Sequence, residues 1–315
     1  MITPTHSMPE GFLAEEVRCG YTVTAKMKRI WAVELDLLAK FAEVCERNGL
    51  AYFLDGGTLL GAIRHKGFIP WDDDVDVIMP RADYDRLWQI ADREFAHPYF
   101  FQTTLSEDGP FYRTHAQLRN SETTGFIEGD GKKEDVNCGI FLDIFVLDKV
   151  PDGMLRRKLW HRELDRKKMR MQMCFDLRGE LHGLGVLRER FWQAFFRVYG
   201  RKRYFDYLNR KVMGKYARKD TLIAGDITLD WRGNVQWPAA WYEGYCYLDF
   251  EDLRLRAPLF YPEIMTLQYG DYLRMPDDVT ALNGRMHGST IFDPDTPYKE
   301  WFARHREEYP WKKID

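Results

Sequence analysis

Long apolar runs are missing from this chain. No stretch approaches the roughly 18 to 20 residues that a bilayer-spanning helix needs, so no transmembrane segment is expected. The N-terminal "MITPTHSMPEGFLAEEVRCG" has no basic start followed by an apolar core, and no secretory signal is expected there. Cysteine is scarce. The five present (Cys19, Cys45, Cys138, Cys174, Cys246) are odd in number, scattered and without a C-x-x-C pair, which argues against a disulfide framework or a structural zinc site. Internal repeats and low-complexity tracts are also absent. These absences point to a cytoplasmic protein. What remains is globular: 45% apolar and 30% charged over 315 residues, enough for one large domain or two ordinary ones. An aromatic content of 15% leaves rings to spare for lining grooves.

The net charge of −3 conceals a division. Residues 153–219 carry 20 Lys and Arg against 6 Asp and Glu, so the rest of the chain is strongly acidic. One part is suited to holding cations and another to meeting something anionic.

Apolar residues recur three or four apart from Met27 to Cys45, an amphipathic helix that Asn48-Gly49 ends. "LAYFLD" reads as a strand entering a Gly-Gly-Thr turn, "TLLGAIRHKG" as a short helix, and "DVDVIMP" as a second strand of period two. A helix is predicted over 82–95, strands over "PYFFQTT" and "FYRTHAQLRN", and an apolar strand over "CGIFLDIFVLDKV". The basic segment reads as helices broken near Gly179, Gly183 and Gly185, with short strands and aromatic turns from Thr221 onward.

"DGGTLLGAIRHKGFIPWDDDVDV" places Asp72, Asp73, Asp74 and Asp76 within five positions, running straight into an apolar strand. On a D-h-D strand Asp74 and Asp76 project to one face, about 7 Å apart. Two such carboxylates repel, and a hard divalent cation, Mg²⁺ or Mn²⁺, is the partner that relieves them. Asp143, one acid inside "GIFLDIF", should cost several kcal/mol unless paired. If its strand neighbours the first, it completes a three-carboxylate site. Asp72 and Asp73 read equally well as loop-ending solvated acids. Gly56 and Gly57 permit a tight turn and close backbone approach, Thr58 can cap the helix that follows, and N–H groups at that helix start suit a phosphate.

These residues resemble the nucleotidyltransferase fold of the polymerase-β type: strand, Gly-Gly-Thr turn, helix, D-h-D strand and a later third acid. More narrowly, "GGTLLGAIRHKGFIPWDDDVDV" with "GIFLDIFVLDKVP" resembles the LicD family, and "YGDYLRMP…HG" resembles the end of that pattern. The implied fold class is α/β (α+β), a polymerase-β-type core with a mixed sheet plus a basic helical segment. The expected division is 1–26 as an N-terminal extension, 27–152 as catalytic core, 153–220 as basic helical segment and 221–315 as a part completing the domain. The resemblance implies transfer of an alkyl phosphate such as phosphocholine from a CDP-linked donor to a sugar hydroxyl of a glycan or lipid-linked glycan, releasing CMP. Asp74, Asp76 and Asp143 would then be the catalytic, metal-binding acids, and Gly56, Gly57 and Thr58 would meet the donor phosphates.

Arg64, His65 and Lys66 close the short helix, and Arg119 follows a strand; any of them could contact phosphate, or the helix end could be merely solvated. A choline headgroup needs ring faces, and "WRGNVQWPAAWYEGY" offers Trp231, Trp237, Trp241, Tyr242 and Tyr245, either as a cage or as a small core under a loop. His287 reads as structural or catalytic. The basic segment 153–219 reads as a peripheral membrane-surface contact, an anionic-acceptor face or a solvated helical face, and without a recognised reading module no nucleic-acid partner is expected. The competing functions are a nucleotidyltransferase moving NMP onto a small molecule or protein, and a donor-binding protein without catalysis.

Overall fold

Residues 6–107, 113–127, 136–173, 184–226, 236–279 and 290–308 are described by the structure, a computed structural model. A small antiparallel hairpin, β1 (Glu16–Arg18) and β2 (Tyr21–Val23), leads into α1 (Ala25–Arg47). Thr24 opens this helix by accepting the Met27 N–H on its hydroxyl at 3.2 Å, an N-cap that satisfies one orphan donor. The three-and-four spacing read from the sequence is the buried face: Ile30, Trp31, Leu35, Leu38, Phe41 and Cys45 all enter the main core.

The elements that follow carry the acids. They are β3 (Phe53–Leu54), α2 (Gly56–His65), β4 (Asp76–Pro80), α3 (Arg81–Glu94), β5 (Tyr99–Gln102), β6 (Ala116–Asn120), β7 (Thr124–Ile127) and β8 (Ile140–Val150). The second predicted strand starts later than its period-two pattern suggests. Asp74 and Val75 lie in the connection before β4, although the Val75 carbonyl already accepts the Asp143 N–H at 3.0 Å. The apolar run around Asp143 makes β8 the spine of a mixed sheet. β4 lies parallel along one edge of it, while β6 and then β9 (Ile223–Asp226) pair antiparallel along the other. β3 extends the sheet beyond β4, β5 beyond β6, and β10 (Gln236–Pro238) beyond β9.

Between β8 and β9 the basic segment forms α4 (Met154–Met173), α5 (Leu184–Tyr199) and α6 (Arg201–Tyr207), then a π-helical turn, Leu208–Val212, and a 3₁₀ turn, Met213–Tyr216. It packs two small cores, one of Trp160, Leu164, Leu208 and Met213 with Val150, the other of Met171, Phe196, Tyr204 and Phe205. The remaining elements are the hairpin β11 (Tyr245–Phe250) and β12 (Leu253–Pro258), helix α7 (Tyr261–Tyr269), strand β13 (Thr290–Asp293) paired with β7, and helix α8 (Tyr298–Arg304).

A buried ion pair joins α3 to β8, and a hydrogen bond from the same arginine reaches the basic segment. Arg81 donates Nε to Oδ1 of Asp148 at 2.9 Å and one terminal nitrogen to Oδ2 at 2.5 Å, while its other terminal nitrogen reaches Oδ1 of Asn209 in the π turn. Both charges are buried, so removing one strands the other. Asp148→Ala is expected to lower unfolding stability by about 3 to 5 kcal/mol in a denaturant titration. A loss below about 1 kcal/mol would mean that water or another acid takes over the guanidinium.

Candidate active site

The parallel register sets the first relation. Asp76 on β4 stands directly across from Asp143 on β8, as the two-strand expectation required. Asp76 is partly buried, and the largest charges acting on it belong to other carboxylates, Asp74, Asp143, Asp55 and Asp72. Burial first, then these neighbours, hold its carboxyl well above the usual range. Asp143 goes the other way. Burial would raise it, but the adjacent His115 ring, the Arg113 charge and the Gln117 amide keep it below the ordinary carboxylate value.

The second relation comes from the start of α2. Asp55 stands at the N-cap and Gly56 follows with φ +51°, a left-handed backbone that favours glycine. A Cβ on Gly56 would stand 3.2 Å from Oδ2 of Asp76, and one on Gly57 only 2.7 Å from Oδ2 of Asp72. The paired glycines therefore let two carboxylates lie against the positive end of a helix. Thr58 is not the cap. Its buried hydroxyl accepts the Asp76 N–H at 2.8 Å and so clamps the start of β4 to α2. Gly57→Ala is expected to push Asp72 aside and lower turnover by about ten- to a hundredfold without lowering Tm, since a displacement near 1 Å suffices for such a loss. Wild-type turnover in that variant would remove Asp72 from the site.

Asp72 and Asp73, neutral between two readings in the sequence, belong here. A ligand oxygen of each lies within 4.8 Å of the others and of one from Asp74. Glu34 of α1 completes the crowd unannounced. It is fully buried, neither carboxylate oxygen has a hydrogen-bond partner, and burial followed by Asp73, Asp74 and Asp72 raises it well above the ordinary range. One turn earlier Trp31 donates its indole N–H to the Asp72 carbonyl at 3.0 Å, so this face of α1 is pinned to the acid loop. Asp55 is pushed up to about 7 by burial and by Asp226, and its Oδ1 also lacks a partner. Oxygen-only donors, several carboxylates packed closer than their repulsion favours, and orphaned buried oxygens fit a hard divalent cation.

β6 supplies what the sequence reading missed. His115, Gln117 and Arg119 alternate onto one face of the strand region, a period-two polar pattern that "THAQLRN" does display. His115 Nε2 lies 3.1 Å from Oδ1 of Asp143, and the Gln117 amide donates to the same oxygen at 2.6 Å. Arg119 was expected to meet substrate phosphate, and the structure corrects that. It is buried and donates to Gln117 Oε1 at 2.5 Å, to the carbonyls of Gly139 and Gly125, and to Gln102. Its role is to orient Gln117, which in turn orients Asp143.

The other expected contacts divide. Arg64 is half-buried, donates to the Arg274 carbonyl at 3.3 Å and has Tyr269 and Asp72 among the groups acting on it, which sets it at the rim. His65 turns away toward Cys19 and Trp71, and burial with Arg64 and Arg18 lowers it to about 4, so at neutral pH it offers a phosphate no charge. Lys66 caps the helix in the left-handed region. Trp237 is 1% exposed and packs edge-on against Tyr242 inside the core, which overturns its place in a cage. Trp241 is partly buried and stacks at 6.4 Å on Phe260. Trp231 and His287 lie outside the described residues. Among the rings that border the acids is Tyr269, at the end of α7, a residue 47% exposed whose hydroxyl is nonetheless raised by partial desolvation, then by Asp55, Asp76, Asp72 and Asp74.

A mixed sheet with acids facing each other on two parallel neighbours, beside a helix opened by two glycines, defines a domain of the nucleotidyltransferase class. The sequence pattern of the LicD/FKTN/FKRP nucleotidyltransferase domain matches residues 49–179. The chain is 30% identical over 255 residues to the lipopolysaccharide cholinephosphotransferase LicD of Haemophilus influenzae, a match covering 78% of this chain and 90% of that protein. It is also 59% identical over 51 residues to the human ribitol 5-phosphate transferase FKRP, 10% of that protein's length, and 46% identical over 110 residues to an uncharacterized protein of Rickettsia prowazekii. This chain belongs to the LicD/FKTN/FKRP family.

Proposed function

We propose that this protein transfers an alkyl phosphate, phosphocholine foremost, from a CDP-linked donor to a sugar hydroxyl of a lipopolysaccharide-type or other cell-surface glycan. The reading is carried by the parallel pairing of Asp76 with Asp143 beside the glycine-opened start of α2. The likeness to a cholinephosphotransferase over most of both chains favours choline. The likeness to the ribitol 5-phosphate transferase spans only a short segment.

In this reading the acceptor oxygen forms a bond to the phosphorus that bears the headgroup, and the bond from that phosphorus to the CMP oxygen breaks. The hydroxyl proton passes to Asp143, which His115 and Gln117 hold in place and keep ionised. Asp74, Asp76 and Asp143 would hold Mg²⁺ or Mn²⁺, with Asp72 beside them. The ion, when bound, neutralises charge on the diphosphate and the departing nucleotide. The N–H groups of Gly56 and Gly57 and the guanidinium of Arg64 are the assigned phosphate contacts.

A panel of CDP-choline, CDP-ethanolamine, CDP-ribitol and CDP-glycerol, each with a glycan acceptor, tests this. The expected result is CMP release with CDP-choline, abolished by a chelator and restored by Mg²⁺, with the acceptor gaining phosphocholine mass. Release of pyrophosphate from a nucleoside triphosphate, with no CMP from any donor, would replace this reading with nucleotidyl transfer.

A further inference from the structure

Helix α5 is built inside out. Leu187, Phe191 and Val198 are 63%, 63% and 90% exposed. With exposed Ala194 they follow an i, i+4, i+7, i+11 spacing, one continuous stripe along the helix. The opposite side buries Phe196 against Met171, Tyr204 and Phe205. Helix α4 shows the same inversion. Leu155 and Leu159 face solvent while Trp160 and Leu164 fill the core. Exposed cations flank both stripes, among them Arg162 and Arg166 on α4 and Arg190 and Arg197 on α5. Val198 adjoins Tyr199, which with Lys202, Arg203, Arg210 and Lys211 lines an open cavity of about 570 Å³.

The charge identifies the occupant. A second copy would bring two faces together, each drawn from a segment with 20 Lys and Arg against 6 acids, and like charge opposes that pairing. An anionic bilayer complements the cations and accepts the Leu and Phe side chains at its headgroup boundary. Among the described residues no helix is long and apolar enough to cross a membrane, so these helices would lie on it. We infer that the outer faces of α4 and α5 dock this protein on an anionic lipid bilayer, with Leu187, Phe191 and Val198 entering the interface. α4 leaves β8 at Val150, seven residues beyond Asp143, so the contact tethers the enzyme and leaves the acids free for a glycan acceptor. The inference does not depend on the donor assigned above.

Sedimentation of the full chain with phosphatidylcholine vesicles, with and without phosphatidylglycerol, tests it. Binding to the anionic vesicles is expected to be at least about tenfold tighter than to neutral ones and to weaken with salt. Phe191→Glu with Val198→Glu should reduce it at least about tenfold at unchanged Tm and unchanged CMP release on a water-soluble acceptor. Arg162→Gln with Arg166→Gln should weaken it without touching the apolar stripe. Equal binding to both vesicle types, or undiminished binding by the Phe191/Val198 variant, overturns the inference. So does a concentration-dependent dimer that the same variant dissociates, because a second copy would then cover the face.

Discussion

Asp76→Asn will abolish transfer to within measurement, a loss of about a thousandfold or more, while the apo protein melts no lower than wild type. A thousandfold is ~4 kcal/mol of transition-state stabilisation, within what a bound divalent ion supplies to phosphoryl chemistry. The stability half of the expectation follows from the surroundings. Asp76 is partly buried, and its largest charged neighbours are Asp74, Asp143, Asp55 and Asp72, so an ionised carboxylate there is a burden on the metal-free fold. An amide of the same shape lifts that burden. Its own N–H is held by Thr58, so the backbone position survives the change. A large fall in Tm would mean that the residue is structural, and unchanged turnover at saturating Mg²⁺ would remove it from the chemistry.

Asp143→Ala will lower kcat by about a hundred- to ten-thousandfold, the range of a lost general base, and change donor affinity far less. The split follows from the β6 side of the residue. His115 and Gln117 hold one carboxylate oxygen of Asp143, the residue that stands across from Asp76 in register, an arrangement that fixes a base beside the reacting centre. Stopped turnover with intact binding of the CDP-linked donor is the expected outcome. Equal losses in kcat and donor affinity would make Asp143 chiefly a metal ligand, and no loss in either would dismiss it. Arg119→Met should reproduce part of the kcat loss, because it frees Gln117 without touching Asp143.

The acids were legible because their pattern is local. A D-h-D run entering an apolar strand, and one acid inside "GIFLDIF", are unusual enough in one dimension to predict a meeting in three. The parallel pairing of β4 with β8 delivers that meeting. The long helix was equally plain, since its three-and-four spacing is the face it buries. What failed to show was burial decided by distant partners. Nothing near Arg119 reveals that Gly125, Gly139 and Gln102 take up its donors. Trp237 lies in a loop-like run yet enters the core because β10 pairs with β9 and carries it beneath the sheet edge. Glu34 was invisible for the opposite reason. An acid inside an amphipathic helix looks like an ordinary solvated residue until the loop carrying Asp72 to Asp74 folds over it. Thr58 kept its place at the start of α2 and changed its task, since a hydroxyl in the first turn of a helix serves a neighbouring strand as readily as its own N-terminus.

Manganese binding to the metal-free protein, followed by electron paramagnetic resonance, tests the central claim most directly. The prediction is that Mn²⁺ binds the wild-type protein, that Mg²⁺ displaces it, and that Asp74→Asn and Asp76→Asn each weaken it by at least about tenfold, one lost carboxylate ligand. Undiminished Mn²⁺ affinity in both variants would contradict the claim that these acids form one cation site.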